Sequence, residues 1–358
     1  MADESRPVRD EDAFDVGAVQ RWLDEVAPGA GQIGEVRQFP GGASNLTYLL
    51  RLVESEGGVR ELILRRPPAG TKAKGAHDMS REYRIQRALA PVFPQVPRMI
   101  AYATEADSPI GSELYVMERL DGLIPRRDFG FPVSPEQADG LCNAAVDTLV
   151  ALHSVDVTAV PDLQELNRGD GYVARQIGGW IKRLANARTD DTGDWSDITS
   201  WLDEHQPADV GQRMIHNDYR LDNMVLAADD PTRIIGVLDW ELATVGDPLM
   251  DLGCTLAYWV QADDDEFFQM TRRQPTAEPG MWTRHQLIDA YLERMGLELT
   301  PEQWRFYEVY GLFRFAVIAQ QIWYRYFHKQ TTNEAYAAFG PAVAGFEQRC
   351  RRIITQGG

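Results

Sequence analysis

One segment constrains this chain more than any other. From Met214 it reads Met-Ile-His-Asn-Asp-Tyr-Arg-Leu-Asp-Asn-Met-Val-Leu, and a second apolar run from Ile234 leads into Asp239-Trp240-Glu241. The runs Met224 to Leu226 and Ile234 to Leu238 flank the turn-like Ala-Ala-Asp-Asp-Pro-Thr, which reads as two short strands around a loop. The segment supplies a carboxylate at Asp218, an amide at Asn223 and a second carboxylate at Asp239. Phosphoryl transfer from a nucleotide to a hydroxyl needs those three groups: one carboxylate for the acceptor's proton, and an amide oxygen plus another carboxylate for Mg²⁺. The plainer alternative is an acidic turn beside a hairpin, with His216 closing a buried polar network.

The catalytic loop of protein kinases reads His-Arg-Asp-x-x-x-x-Asn, with a metal-binding Asp one hairpin later. Here His216, Asn217, Asp218, Asn223 and Asp239 keep that spacing. With Asp-Trp-Glu in place of Asp-Phe-Gly, and with Gly246-Asp247-Pro248-x-x-Asp251-Leu252 after it, the chain resembles the aminoglycoside phosphotransferase and choline kinase group. Gly41-Gly42-Ala43-Ser44-Asn45-Leu46-Thr47-Tyr48 and Leu64-Arg65-Arg66-Pro67-Pro68 are most similar to the phosphotransferase domains found beside some acyl-CoA dehydrogenases.

The resemblance implies an α+β, two-lobed protein-kinase-like fold. An N-terminal helix over 1–29 precedes a small antiparallel, nucleotide-binding N-lobe over 30–118 and a larger, mostly helical C-lobe over 119–358. It implies transfer of the γ-phosphoryl of ATP, with Mg²⁺, to a small-molecule hydroxyl. Asp218 is then the base, Asn223 and Asp239 hold the metal, and Arg65 takes the phosphate-gripping place of the kinase Lys. Arg is permanently charged and can donate two parallel hydrogen bonds to a phosphate. Glu82 is the residue the family pattern selects to pair with Arg65, although charges alternate around it as on a solvated helix face. Arg66, one position on, points to the opposite side of its strand.

Local patterns agree with that frame. Asp10 to Val26 has helical spacing, and Ala-Pro-Gly-Ala-Gly ends it. Ile33 to Phe39, Leu46 to Val53 and Val59 to Leu64 read as strands, and Met79 to Leu89 as a helix. Gly41, Gly42, Ser44 and Asn45 lie between the first two strands. Such a turn makes a hairpin, or brings backbone N–H groups against phosphate oxygens with help from Ser or Asn. Pro91 to Pro97 is a connector before a strand at Leu114 to Met117. Kinase-like folds place the hinge there, which assigns Met117 to the adenine pocket lining and the backbones of Glu118 and Leu120 to the base edge.

From Ser134 the pattern is helical apart from the catalytic hairpins. His153, near the end of the helix Pro135 to His153, is expected to satisfy core polar groups. Asp247 is expected to cap a helix, and the resemblance implies that Asp247 and Asp251 organise the catalytic loop. Asp222 is a turn former with a supporting role left open. The C-terminal aromatics, from Tyr258 to Phe327, are helix–helix core or the walls of an acceptor pocket. The run Asp263-Asp264-Asp265-Glu266 either draws in an amine or starts a helix. Arg272, Arg273 and Arg284 are the available candidates for coenzyme A phosphates.

A net charge of -18 over 358 residues opposes nucleic-acid or anionic-lipid binding. Cys142, Cys254 and Cys350 are odd in number and far apart, which argues against a disulfide framework. No apolar stretch is long enough to span a membrane, and the first residues lack a signal-peptide pattern, so a cytoplasmic location is expected. The acceptor stays open among aminoglycosides, choline-like amines and hydroxyacyl thioesters. A nucleotide-binding pseudokinase, favoured only by Arg65, is the alternative from another class.

Overall fold

The computed structural model describes residues 5–40, 45–54, 57–68 and 78–356. Two compact units make up the chain: Met1–Leu123 with Ile235–Glu241, and Ile124–Ile234 with Leu242–Gly358.

The first unit is built on a six-stranded antiparallel sheet in the spatial order Arg6–Pro7, Gln32–Gln38, Leu46–Val53, Val59–Arg66, Leu114–Glu118, Met99–Ala103. Its central hairpin runs without a break from Leu46 opposite Arg66 to Val53 opposite Val59. Both faces are buried, which is why Leu-Thr-Tyr-Leu-Leu-Arg-Leu-Val reads as a nearly continuous apolar run rather than a strict alternation. Tyr48, Leu50, Leu52, Leu62 and Leu64 pack on one side with Val19 and Leu23 of the helix Val16–Val26. Leu49, Ile63, Tyr115 and Met117 pack on the other with Met79, the first residue of the helix Met79–Leu89. The side-chain period of two therefore puts Arg65 on the face of Ile63 and Arg66 on the face of Leu64.

Two local expectations shift. The helix expected from Asp10 begins at Val16, because Asp15 is extended and its carboxylate accepts from Ala18 N at 2.9 Å; Asp10–Asp12 is a separate 3-10 turn. The edge strand Met99–Ala103 follows the Pro-rich connector with no strong pattern of its own.

The second unit is mostly helical. Its longest helices are Pro135–His153, opened by a capping box of Ser134 and Gln137, Pro301–Phe327 and Phe339–Gln356. The helix Pro248–Ala257 is buried at every position. It can approach Pro301–Phe327 backbone to backbone because Gly253 and Gly311 face each other: a Cβ on Gly311 would stand 2.1 Å from the Gly253 carbonyl oxygen. The strands Arg213–Ile215 and Thr244–Gly246 pair antiparallel in this unit, with Ile215 opposite Thr244. No helix among the described residues is long and apolar enough to cross a membrane.

Candidate active site

In the second unit the segment after Ile215 is held rather than free. Asn217 is left-handed, with φ 64°, a conformation a residue other than glycine keeps only where its surroundings impose it. Its N–H donates to Asp251 Oδ1 at 2.7 Å, its carbonyl accepts from Arg314 Nη2 at 2.8 Å, and its side-chain amide donates to the Leu242 carbonyl at 3.1 Å. His216 N–H donates to the other oxygen of Asp251 at 2.8 Å. The same oxygen lies 3.1 Å from His153 Nε2, and His153 Nδ1 lies 2.6 Å from the Tyr291 hydroxyl.

Asp251 and His153 are both fully buried. Burial alone would raise the Asp251 pKa, but the hydrogen bond and attraction of His153, the attraction of His216 and the His216 N–H hold it below the usual carboxylate range. An ionised carboxylate is the group that can accept all these donors at once. Asp247 caps the helix Pro248–Ala257 through Leu249 N and Met250 N and also accepts from Val210 N at 2.6 Å. Both acids organise backbone, as the sequence suggested.

This scaffold presents Asp218. Asn223 Nδ2 donates to the Asp218 carboxylate and to its backbone carbonyl, each at 2.9 Å. Arg220 Nε stands 3.4 Å from the Asp218 carboxylate and 3.2 Å from that of Asp222. With its amide nitrogen committed to Asp218, Asn223 has Oδ1 as the atom suited to a hard cation. Burial pushes the Asp222 carboxyl up, Arg220 opposes this, and Asp218 adds to it. The Arg220 guanidinium lies over the Tyr258 ring at 4.8 Å, and Tyr258 packs against Phe315.

The first unit carries the other candidates. Arg65 makes an ion pair with the buried Glu82 of the helix Met79–Leu89, donates to the Tyr115 hydroxyl at 3.1 Å, and stands 3.5 Å from Asp239 Oδ1. Burial pushes the Glu82 carboxyl up and Asp239 adds to that, while Arg65 opposes both. Asp239 is left-handed, with φ 67°, and more than a third of its side chain is exposed. Trp240 anchors it from below: the ring is buried against Phe93, and its indole N–H donates to the Val237 carbonyl at 2.8 Å. Arg66 points away, donating to Tyr48 Oη and the Asp12 carbonyl.

Of the expected phosphate loop, Gly41, Gly42 and Ser44 lie outside the described residues; Asn45 is buried. Met117 is 7% exposed and belongs to the core around Leu49 and Tyr115. Glu118 N–H donates to the Arg98 carbonyl at 2.9 Å, so any contact it makes to a base edge must use its own carbonyl. Leu120 is half-buried.

Of the two readings of the acidic run, the helix start is the one seen: Asp265 caps the helix Glu266–Thr271, while the Asp264 carboxylate lies between Arg284 and Arg349. Arg272 and Arg284 are likewise committed, Arg272 to Asp128 at 2.9 Å and to the Arg127 carbonyl, so they form no open phosphate patch. Two residues were missed. Tyr115 read only as an apolar strand position, and Arg314 as one charge on a long helix; no sequence signal marks either.

No cluster of three or more His, Cys, Asp or Glu among the described residues could hold a metal alone.

A loop of this kind in a mostly helical unit, and an Arg–Glu pair in a β-rich one, are features of a protein-kinase-like fold. The chain belongs to the phosphotransferase enzyme family, whose model matches residues 35–288. Acyl-CoA dehydrogenase family member 11 from Rattus norvegicus is 32% identical over 331 residues, covering 90% of this chain and 41% of that protein. The chain thus spans about two fifths of the length of such curated relatives. A solved structure from Ralstonia eutropha, described as a candidate aminoglycoside phosphotransferase, superposes with a TM-score of 0.77 at 28% identity, covering 95% of this chain and 99% of that one. Choline kinase from Cryptosporidium parvum shares the fold, with a TM-score of 0.63 at 13% identity over 96% of this chain and 97% of its own.

Proposed function

We propose that this chain transfers the γ-phosphoryl of ATP to a hydroxyl of a small molecule. The observation that carries the reading is the Asp218–Asn223 pair, a carboxylate held by an amide at 2.9 Å on a loop whose backbone is tied to a buried acid. Asp218 accepts the acceptor's hydroxyl proton and aligns its oxygen. Asn223 Oδ1 and the Asp239 carboxylate hold Mg²⁺, which neutralises phosphate charge when bound. Arg65, oriented by Glu82 and Tyr115, steadies the phosphates. Met117 and the carbonyl of Glu118 serve the adenine, with Leu120 beside them. The rate comes from positioning and charge stabilisation rather than covalent chemistry.

A hydroxyacyl thioester is the acceptor favoured by similarity to acyl-CoA dehydrogenase family member 11; aminoglycosides and choline-like amines rest on likeness of fold. Of the arginines that could meet its coenzyme A phosphates, Arg272 and Arg284 are paired with Asp128 and Asp264.

The test is ADP release with MgATP across aminoglycosides, choline-like amines and hydroxyacyl-CoA compounds, with Asp218→Ala as the blank. Acceptor-dependent release that disappears in Asp218→Ala, while nucleotide still binds, is expected. Release unchanged in that variant would remove Asp218 as the base, and nucleotide binding with no release from any compound would favour a pseudokinase.

A further inference from the structure

One cavity of the second unit lies away from the catalytic loop. It measures about 430 Å³ and is walled by the helices Pro248–Ala257, Arg284–Met295, Pro301–Phe327 and Phe339–Gln356, and none of the residues from Met214 to Leu226 lines it. That volume is within the range of sites for small organic ligands, roughly 300–1,000 Å³. Its walls are mostly apolar, with Leu256, Phe268, Ile288, Leu292, Trp304 and Leu312 among them.

At one wall, two guanidiniums share one carboxylate. Asp264 accepts from Arg284 at 2.6 Å and from Arg349 at 3.0 Å, and the three side chains are 4%, 16% and 13% exposed. The cluster therefore carries one unit of positive charge more than its internal counter-charge, in a chain with 54 acids against 36 basic residues. A nearly buried excess charge is costly unless a counter-ion meets it. Arg349 also lies over Phe268, 3.8 Å from the ring centroid, which places it beside the apolar wall. Arg305, further along the lining, makes no ion pair among the described residues, and its buried Nε–H has no partner. Asp289 and Glu308 are the acids of the lining, and neither is paired with these arginines.

We propose that this cavity is a second ligand site, separate from the phosphoryl-transfer site, for an organic anion with an apolar body, such as a medium-chain carboxylate. The acyl chain fills the Leu256–Ile288–Leu292 wall, and the carboxylate meets the Arg284–Arg349 cluster.

Calorimetric titration with octanoate, octan-1-ol and octylammonium tests this on the full chain. Octanoate is expected to saturate at one per chain, to bind at least tenfold more weakly in Arg349→Met, and to be excluded by Leu292→Trp, which fills the space. Arg349→Met leaves the Arg284–Asp264 pair intact, and Leu292 is half-buried, so both variants should fold, as circular dichroism would verify. Asp218→Ala should bind octanoate as wild type does, which separates this site from the catalytic proposal. Absence of saturable octanoate binding, equal binding of the alcohol or the amine, or undiminished binding in either variant overturns the inference.

Discussion

Replacing Asp251 by Asn keeps the shape of the side chain and removes its charge and one of its acceptors. The carboxylate now serves Asn217 N at 2.7 Å, His216 N at 2.8 Å and His153 Nε2 at 3.1 Å, fully buried. In Asp251→Asn the amide nitrogen must face one of the two backbone N–H groups, donor against donor. The loss of a charge-assisted hydrogen bond costs about 1.5–3 kcal/mol, and leaving a buried N–H unsatisfied costs about 1–3 kcal/mol, so roughly 2.5–6 kcal/mol in all. That is a large part of a typical stability of about 5–15 kcal/mol. For a unit of this size it corresponds to a drop of roughly 5–24 °C in melting temperature.

The same variant has a pH signature. The folded Asp251 pKa is depressed, so its contribution is fully present above the unfolded Asp value of about 3.9 and is lost as pH falls through the lower folded value. The stability gap between wild type and Asp251→Asn should therefore be constant from pH 7 to about 5 and narrow below about pH 4. Urea unfolding followed by tryptophan fluorescence over this range measures it. A gap under about 1 kcal/mol at pH 7, or one that widens in acid, would refute the assignment of Asp251 as the ionised clamp on the loop.

Glu82→Gln should destabilise the first unit by about 3–5 kcal/mol, since it leaves the buried Arg65 without its carboxylate, and should weaken MgATP binding by calorimetry. Unaltered affinity would mean that Glu82 does not orient Arg65 for phosphate. Gly311→Ala should cost about 1–3 kcal/mol or more, because its Cβ meets the Gly253 backbone oxygen at 2.1 Å. Gly178→Ala, exposed in the helix Tyr172–Asn186 with nothing within 4 Å of the added carbon, should instead gain about 0.5–1 kcal/mol. Thermal melts that fail to separate these two glycines would contradict the close helix crossing.

Much of the site was legible because its chemistry is local. Asp218 and Asn223 are five residues apart, and the short spacing is itself the reason one amide reaches both the carboxylate and the carbonyl of Asp218. The strands Leu46–Val53 and Val59–Arg66 and the helices Met79–Leu89 and Pro135–His153 were also visible, since apolar period, turn residues and caps act over neighbouring residues. The pairing of Arg65 with Glu82 rested on the family resemblance, because the charges around Glu82 alternate as on a solvated helix face.

The remainder belongs to tertiary structure, because it depends on partners far along the chain. Nothing near Asn217 announces a left-handed backbone; the conformation is imposed by Asp251, Leu242 and Arg314. Tyr115 becomes a partner of Arg65 only because two strands pair across fifty residues. Asp264 and Arg349 look like solvated charges until the helix Phe339–Gln356 meets the turn that carries Asp264. The sequence by itself determined the order of the chemical groups and the elements that carry them. Only packing decided which charges are spent on the fold and which remain for a ligand, since burial and pairing are properties of the whole chain.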